Sequence, residues 1–418
     1  MERILAISTL FPTDTLPHHG VFVLNRLKAM SAFPGTKVTV CNPIPTSLLH
    51  KLMPRYRHQQ LACKRRFEDG MDIYHPRYHT IPGYNKDKEH ISLTRAVLPF
   101  LLTLHKQHKF TRVDVHWTYP DLPLALAFSE ATGLPCSLTL RGLEAFYLDD
   151  QDSRSDIIFE KMGEVDQIIS LSQEMLDIAN QSSEFKGGHV VTNGADTSRF
   201  TYSPMSQARR ALGLPRSNVD ILIGVGSLIE RKGFHHVIEA ITILNLEKRK
   251  HNPVRYYILG SVGLEGNFEA EVKKQIRRYE SLTGREGDIV LIGNVDNQEL
   301  PIWYNAATAF CLSSFGEGSP NVLTEALSCG CPAIASIVGA VPDIMERSSA
   351  SGLLISNQKY SSLPKAGDNW ADKILTLLKE HQSSSARQAL AEKMAKYTWE
   401  WCAQRSLDAI TARSKDAA

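Results

Sequence analysis

Short apolar runs alternate with amphipathic stretches along almost the whole chain. In the first half the runs Ile4–Ser8, Lys37–Cys41, Met71–His75, Val113–Tyr119, Cys136–Leu140, Gln167–Leu171 and His189–Thr192 read as strands. Between them lie helical periods, such as Val21, Leu24 and Leu27, or Leu122 to Ala131 after Pro120-Asp121. Wholly apolar strands separated by helices predict a parallel sheet covered on both faces. The pattern pauses at the turn signal Asn193-Gly194-Ala195-Asp196 and at a polar segment holding Pro204 and Pro215. It then resumes with Asp220–Ser227, Arg255–Ser261, Asp288–Asn294, Thr308–Ser314, Pro332–Ile337 and Leu353–Ser356, with helical periods at Val237–Leu246 and Glu269–Tyr279. The expectation is an α/β chain of two doubly wound domains, 1–196 and 217–385, joined by a linker at 197–216. The C-terminal helices, 386–418, follow; Trp399 and Trp401 either dock the last helix on the first domain or pack locally. Two such domains face each other across a cleft at the carboxyl ends of their strands, where open α/β sheets bind ligands.

Composition narrows the class. At 418 residues, 43% hydrophobic and 22% charged, the chain has the make-up of an ordinary globular protein. Its 47 Lys and Arg against 45 Asp and Glu, a net of +2, give no reason to expect nucleic acid. Seven scattered cysteines do not read as a disulfide framework and are expected to be buried small hydrophobes. The pair Cys329-Gly330-Cys331 lacks a second pair at zinc spacing, and no metal site is expected. No apolar run approaches the length of a membrane span, and the N-terminus lacks a secretory pattern; the expected location is the cytoplasm.

The segment Leu312-Ser313-Ser314-Phe315-Gly316-Glu317-Gly318-Ser319-Pro320-Asn321-Val322-Leu323-Thr324-Glu325-Ala326 carries the most information. Ser319 suits an N-cap and Pro320 a first helical position, leaving the amides of Asn321, Val322 and Leu323 for an anion such as a diphosphate. Gly316 and Gly318 permit close backbone approach. Glu325 stands four residues after Asn321, on the same helix face. Carboxylates beside a phosphate repel it, so Glu317 and Glu325 suit hydroxyls of a sugar and a ribose; otherwise they are solvated acids. A dinucleotide fingerprint at Gly224-Val225-Gly226 fails, because the third glycine would fall on Ile229.

Glu317 and Glu325, seven residues apart within FGEGSPNVLTEALSCGCPAIAS, resemble the E-x7-E signature of retaining glycosyltransferases of family GT4, which have the GT-B fold. Further matches run along the chain: Val225 to Phe234, Ile258-Leu259-Gly260, Leu291 to Val295, Val338 to Ile344, and Val191-Thr192-Asn193-Gly194-Ala195-Asp196 with Phe200. The resemblance implies two Rossmann-like domains, the second binding a nucleoside-diphosphate sugar, UDP or GDP, without a metal or other cofactor. It implies that Glu317, Lys232 and Arg231 form the reaction centre, with Lys232 on the donor phosphate and Arg231 replacing a family arginine lost at Gly226 and Ser227; either cation could instead be a solvated side chain. Donor contacts are expected from Glu325, Gly318, Ser319, Asn321, Val322, Leu323, Gly226, Ser227 and, in the first domain, Gly20, unless Gly20 only makes a tight turn.

The acceptor side is expected to hold Arg141, Glu144, His116, Trp117 and His19. Arg141 stands where many family members have histidine, and an Arg141–Glu144 pair could simply hold its loop; Trp117 and Tyr119, two apart in a strand, could be core. Residues 51–67 are basic with interleaved apolar positions, which suits either a solvated loop or peripheral contact with an anionic membrane at its inner face. The implied function is a retaining hexosyltransferase acting on a glycan or lipid-linked acceptor in polysaccharide or surface-glycan biosynthesis. The rivals are an epimerase-like enzyme of the same fold and a catalytically weak sugar-nucleotide-binding protein.

Overall fold

A computed structural model describes residues 1–142, 153–247, 252–263, 266–348, 352–355, 363–380 and 383–412. The chain forms two compact units, Met1–Gly194 with Trp399–Ala418, and Ala195–Thr398.

The first unit is built on an eight-stranded sheet. Its strands are β1 (Glu2–Ile7), β2 (Thr36–Cys41), β4 (Arg65–Glu68), β5 (Met71–Tyr74), β7 (Arg112–Val115), β8 (Cys136–Leu140), β9 (Gln167–Ser170) and β10 (His189–Val190), in the order β10-β9-β8-β7-β1-β2-β5-β4. All pairs are parallel except β4 with β5. β3 (Ile44–Thr46) and β6 (Arg77–His79) form a separate parallel pair. Alternation along β1 sorts the core into two layers. Leu5 and Ile7 face a cluster with Val113, Leu138 and helices Glu89–His108 and Asp121–Thr132, while Ile4 and Ala6 face helix Val21–Ser31 and the terminal helix.

The second unit has a six-stranded, wholly parallel sheet of β11 (Asp220–Val225), β12 (Val254–Leu259), β13 (Ile289–Gly293), β14 (Ala309–Leu312), β15 (Ala333–Ser336) and β16 (Gly352–Ile355), in the order β13-β12-β11-β14-β15-β16. Ile221 and Ile223 pack on one face with Phe310, Leu312 and Leu323; Leu222 packs on the other with Val237, Ile241, Trp370 and Ile374. In each sheet the winding reverses beside the first strand of the unit, between β1 and β7 and between β11 and β14. Those two points are where ligand crevices form in doubly wound sheets.

Several expectations change in detail. The segment 197–216 is folded into the second unit rather than forming a linker. Phe200 is buried, helix Met205–Ala211 is formed, and the buried Arg209 donates from Nε to the Ala306 carbonyl at 2.9 Å. The C-terminal region divides. Helix Ser384–Met394 buries Leu390 and Met394 in the second unit. Helix Trp399–Thr411 buries Cys402, Ala403, Leu407 and Ile410 in the first, with Trp399 and Trp401 packed at the margin of that core. β7 stops at Val115, so Trp117 and Tyr119 do not share a strand face. Tyr119 is buried and its hydroxyl donates to the Lys86 carbonyl at 2.5 Å, which makes it a tether for the segment before helix Glu89–His108. Six of the seven cysteines are buried and all are free; Cys63 is half-buried.

Candidate active site

The site assembles on the loops that follow β11 and β14. After β11 the chain turns through Gly226, Ser227 and a short helical turn, Glu230–Lys232, to Gly233 at φ +62°. After β14 comes the loop 313–320. Two hydrogen bonds lock the loops together: Phe315 N–H donates to the Arg231 carbonyl at 2.8 Å, and Ser313 Oγ donates to the Lys232 carbonyl at 2.9 Å. A β-carbon on Gly233 would lie 2.1 Å from the Ser313 carbonyl oxygen, so only glycine permits this approach. A third loop, after β15, backs the second. Gly339, at φ +49°, would place a β-carbon 1.9 Å from the Glu317 carbonyl oxygen, and Ala340 N–H donates to Gly318 at 2.9 Å.

These constraints bring Lys232, Arg231 and Glu317 together. Lys232 Nζ donates to Glu317 Oε1 at 2.6 Å. Arg231 Nη1 donates to the Gly316 carbonyl at 2.5 Å and lies 3.8 Å from Glu317 Oε2. Burial would raise the Glu317 carboxyl, but Lys232 and then Arg231 hold it below the usual carboxylate range. Two fixed cations thus face one ionised carboxylate, leaving the trio at +1 without an added ligand. Gly226, at φ +151°, lies beneath the Lys232 stem: a β-carbon there would come 3.2 Å from Cε. His235 and His236, buried against Phe315, are pushed down to about 4 by burial, so they are neutral and add no charge.

Glu325 stands one turn into helix Asn321–Ser328. Tyr304 Oη donates to its Oε2 at 3.4 Å. Burial raises the Glu325 carboxyl to about 7, against the opposing pull of Arg199 and Tyr304. The helix start differs from expectation. The capping position falls on Pro320, not Ser319, with no side-chain capping bond, and the helix begins at Asn321. Leu323 N–H donates to the Pro320 carbonyl at 3.0 Å, so that amide is engaged by a tightened first turn rather than offered to an anion. Gly318 and Ser319 precede this helix, and Asn321 and Val322 open its first turn.

Residues 207–398, nearly all of the second unit, match the sequence family described as Glycosyl transferases group 1. The chain carries a group 1 glycosyltransferase domain. Over 371 residues it is 26% identical to a putative teichuronic acid biosynthesis glycosyltransferase, TuaC, of Bacillus subtilis, spanning 87% of this chain and 88% of that protein. Its two units together have the GT-B fold. The sucrose-phosphate synthase of Thermosynechococcus elongatus superposes with a TM-score of 0.70 at 17% identity, covering 98% of each chain. HepE of Anabaena, solved with UDP-glucose, gives 0.66 at 16% identity over 98% of this chain and 99% of its own.

The remaining candidates lie in the first unit. Gly20, at φ +69°, precedes helix Val21–Ser31; a β-carbon there would lie 2.4 Å from the Leu10 carbonyl oxygen, so packing alone already demands glycine. His19 is half-buried, and burial lowers its imidazole. His116 and Arg141 meet: both are buried, and the Arg141 guanidinium contacts His116 Nδ1 while Asp114 Oδ2 lies 3.0 Å from Nε2. Burial pushes His116 down to about 4, with Arg141 adding to the effect and Asp114 opposing it. Arg141 also lies over the Phe22 ring, 5.7 Å from its centroid. Trp117 is half-buried, and Glu144 falls outside the described residues. Sequence reasoning passed over Gly233, Gly339, Ser313, Tyr304 and Arg199. The two glycines sat inside quoted motifs, but a positive φ and a neighbouring carbonyl leave no signature in one sequence.

Proposed function

We propose that the chain is a retaining hexosyltransferase that takes a sugar from UDP or GDP and places it on a glycan or lipid-linked acceptor in surface-polysaccharide synthesis, without a metal. The observation that carries this reading is the Lys232–Glu317 pair, with Arg231, at the β11/β14 switch point. Breaking the anomeric C–O bond builds negative charge on the departing diphosphate. Lys232, Arg231 and the amide end of helix Asn321–Ser328 meet that charge without reorganising. Glu317 accepts from sugar hydroxyls, and Glu325 from the ribose. The acceptor proton passes to the departing phosphate oxygen on the face where the acceptor attacks, which retains configuration. The named relatives agree in kind: an Escherichia coli O-antigen chain mannosyltransferase is 29% identical over 44% of this chain, and HepE was solved with UDP.

A thermal-shift panel of UDP-, GDP- and ADP-sugars tests the donor. A ligand at 100 times its Kd adds about 2.7 kcal/mol, roughly 5–11 °C for a unit of this size. No shift with any of them rejects the reading. Turnover of the active donor with acceptor, followed by NMR of the product's anomeric configuration and repeated with a chelator, tests retention and metal independence; inversion or loss of rate overturns those parts.

Glu325 supplies a pH test. A ribose held by the carboxylate lowers its bound-state pKa below the free value of about 7. Binding then releases a proton, so affinity falls as pH drops below 7, by up to about tenfold per unit. A sugar nucleotide's diphosphate diester keeps its charge over this range. Glu325→Gln flattens the profile; an equally steep profile in that variant assigns the proton elsewhere.

The membrane contact has a specific surface. In helix Leu48–Leu52, His50 points inward with Nδ1 2.7 Å from Ser47 Oγ, while Leu48 and Leu52 are 72% and 69% exposed. Met53, Leu61 and Phe67 are exposed as well. Residues 47–67 hold six Lys and Arg and no Asp or Glu. They are not one amphipathic helix: they divide between helices Leu48–Leu52 and Pro54–Leu61 and the edge strand β4, where Arg65 pairs with Asp72. Outward leucines beside cations fit an anionic bilayer, and we place the enzyme at the inner face of the cytoplasmic membrane. Replacing Leu48 and Leu52 by Asp should abolish co-sedimentation with phosphatidylglycerol vesicles; unchanged sedimentation removes this contact.

A further inference from the structure

We propose that Tyr304 is a positioning residue that holds the Glu325 carboxylate in the orientation that takes the ribose diol of the donor, with Arg199 supporting Tyr304 through the ring of Phe200. The proposal rests on the donor reading above. Glu325 belongs to helix Asn321–Ser328, whereas Tyr304 comes from helix Leu300–Ala306 and Arg199 from the segment that opens the second unit.

Tyr304 is wholly buried, so its hydroxyl needs a partner, and it finds one in Glu325 Oε2 at 3.4 Å. Its ring is fixed edge-on by Phe310, 5.8 Å away between centroids, and by Phe200 at 6.1 Å. Phe200 in turn carries the Arg199 guanidinium, 4.8 Å from its ring centroid. Arg199 Nε is also 3.7 Å from Asp196 Oδ2, which anchors its other side. Arg199 and Glu325 make no ion pair of their own among the described residues, although Arg199 is the cation whose field favours the Glu325 carboxylate. One carboxylate oxygen thus meets a phenol on an aromatic stack, and the Arg199 guanidinium packs on the Phe200 ring of that same stack. A carboxylate fixed in this way meets two adjacent hydroxyls without searching rotamers, which is how a supported polar group gains specificity.

The test compares UDP and GDP with the 2′,3′-dideoxy form of each, by calorimetric titration of the full chain. The wild type binds the ribose form of its nucleotide at least tenfold more tightly, and Glu325→Gln removes most of that preference. Tyr304→Phe keeps the buried ring and is expected to cut the preference roughly three- to tenfold while leaving the dideoxy affinity unchanged. Arg199→Gln acts in the same direction, and Arg199→Lys restores it. A merely structural role lowers both affinities together. A preference kept in Tyr304→Phe and Arg199→Gln but lost in Glu325→Gln overturns the positioning roles and leaves the donor reading standing. A wild type that binds neither nucleotide overturns both.

Discussion

Lys232→Ala lowers turnover by roughly 10²–10³-fold, the cost of removing one preorganised charge donor at a developing anion. Lys232 is the better probe of the pair of cations because its contact to Glu317 is the shorter, 2.6 Å against 3.8 Å for Arg231. Its loss also leaves the half-buried Glu317 with a single, more distant cation, so some loss of stability accompanies the kinetic effect. Circular dichroism and melting of the variant separate the two: a folded variant with the rate loss supports the charge role. Lys232→Arg restores charge but not the compact ammonium, and recovers only part of the rate. A folded Lys232→Ala enzyme within threefold of the wild type would refute the assignment.

Gly233→Ala carries a large expected stability effect. The residue combines φ +62° with a β-carbon position 2.1 Å from the Ser313 carbonyl oxygen. Left-handed strain of about 1–2 kcal/mol adds to an overpacking cost of about 1–3 kcal/mol. The second unit should melt roughly 4–20 °C lower, with activity lost as the Lys232 and Glu317 loops separate. Gly284 is the control. It has nearly the same dihedral, φ +67°, but nothing within 4 Å of its β-carbon position. Gly284→Ala therefore pays only the dihedral cost, a few degrees. Equal melting shifts in the two variants would show that the contact with Ser313 carries no weight.

The apolar runs of both doubly wound sheets were legible because strands buried on two faces have no polar positions to confuse the pattern. β3, β4 and β6 were not: β3 and β6 have three residues each, too few to show a pattern, and β4, as Arg65-Arg66-Phe67-Glu68, is an edge strand whose charges hide it. Glu317 and Glu325 could be singled out because both lie within one loop-and-helix segment, and their expected roles rested on the family resemblance. The meeting of Lys232 with Glu317 could not be derived from spacing, because 85 residues separate them. Tyr304 and Arg199 escaped for the same reason, with the added difficulty that an aromatic stack looks like ordinary core. The linker expectation failed at 197–216 because prolines and arginines mark exposed chain in general, while here Arg209 is buried against helix-end carbonyls.

The most direct measurement of the central claim is the ratio of affinities for nucleoside diphosphate and nucleoside monophosphate, by calorimetry, in the wild type and in Lys232→Ala. If Lys232 and its neighbours grip the second phosphate, the wild type favours the diphosphate by about tenfold or more and the variant loses most of that ratio. A ratio near one in the wild type, or one unchanged in Lys232→Ala, would contradict it.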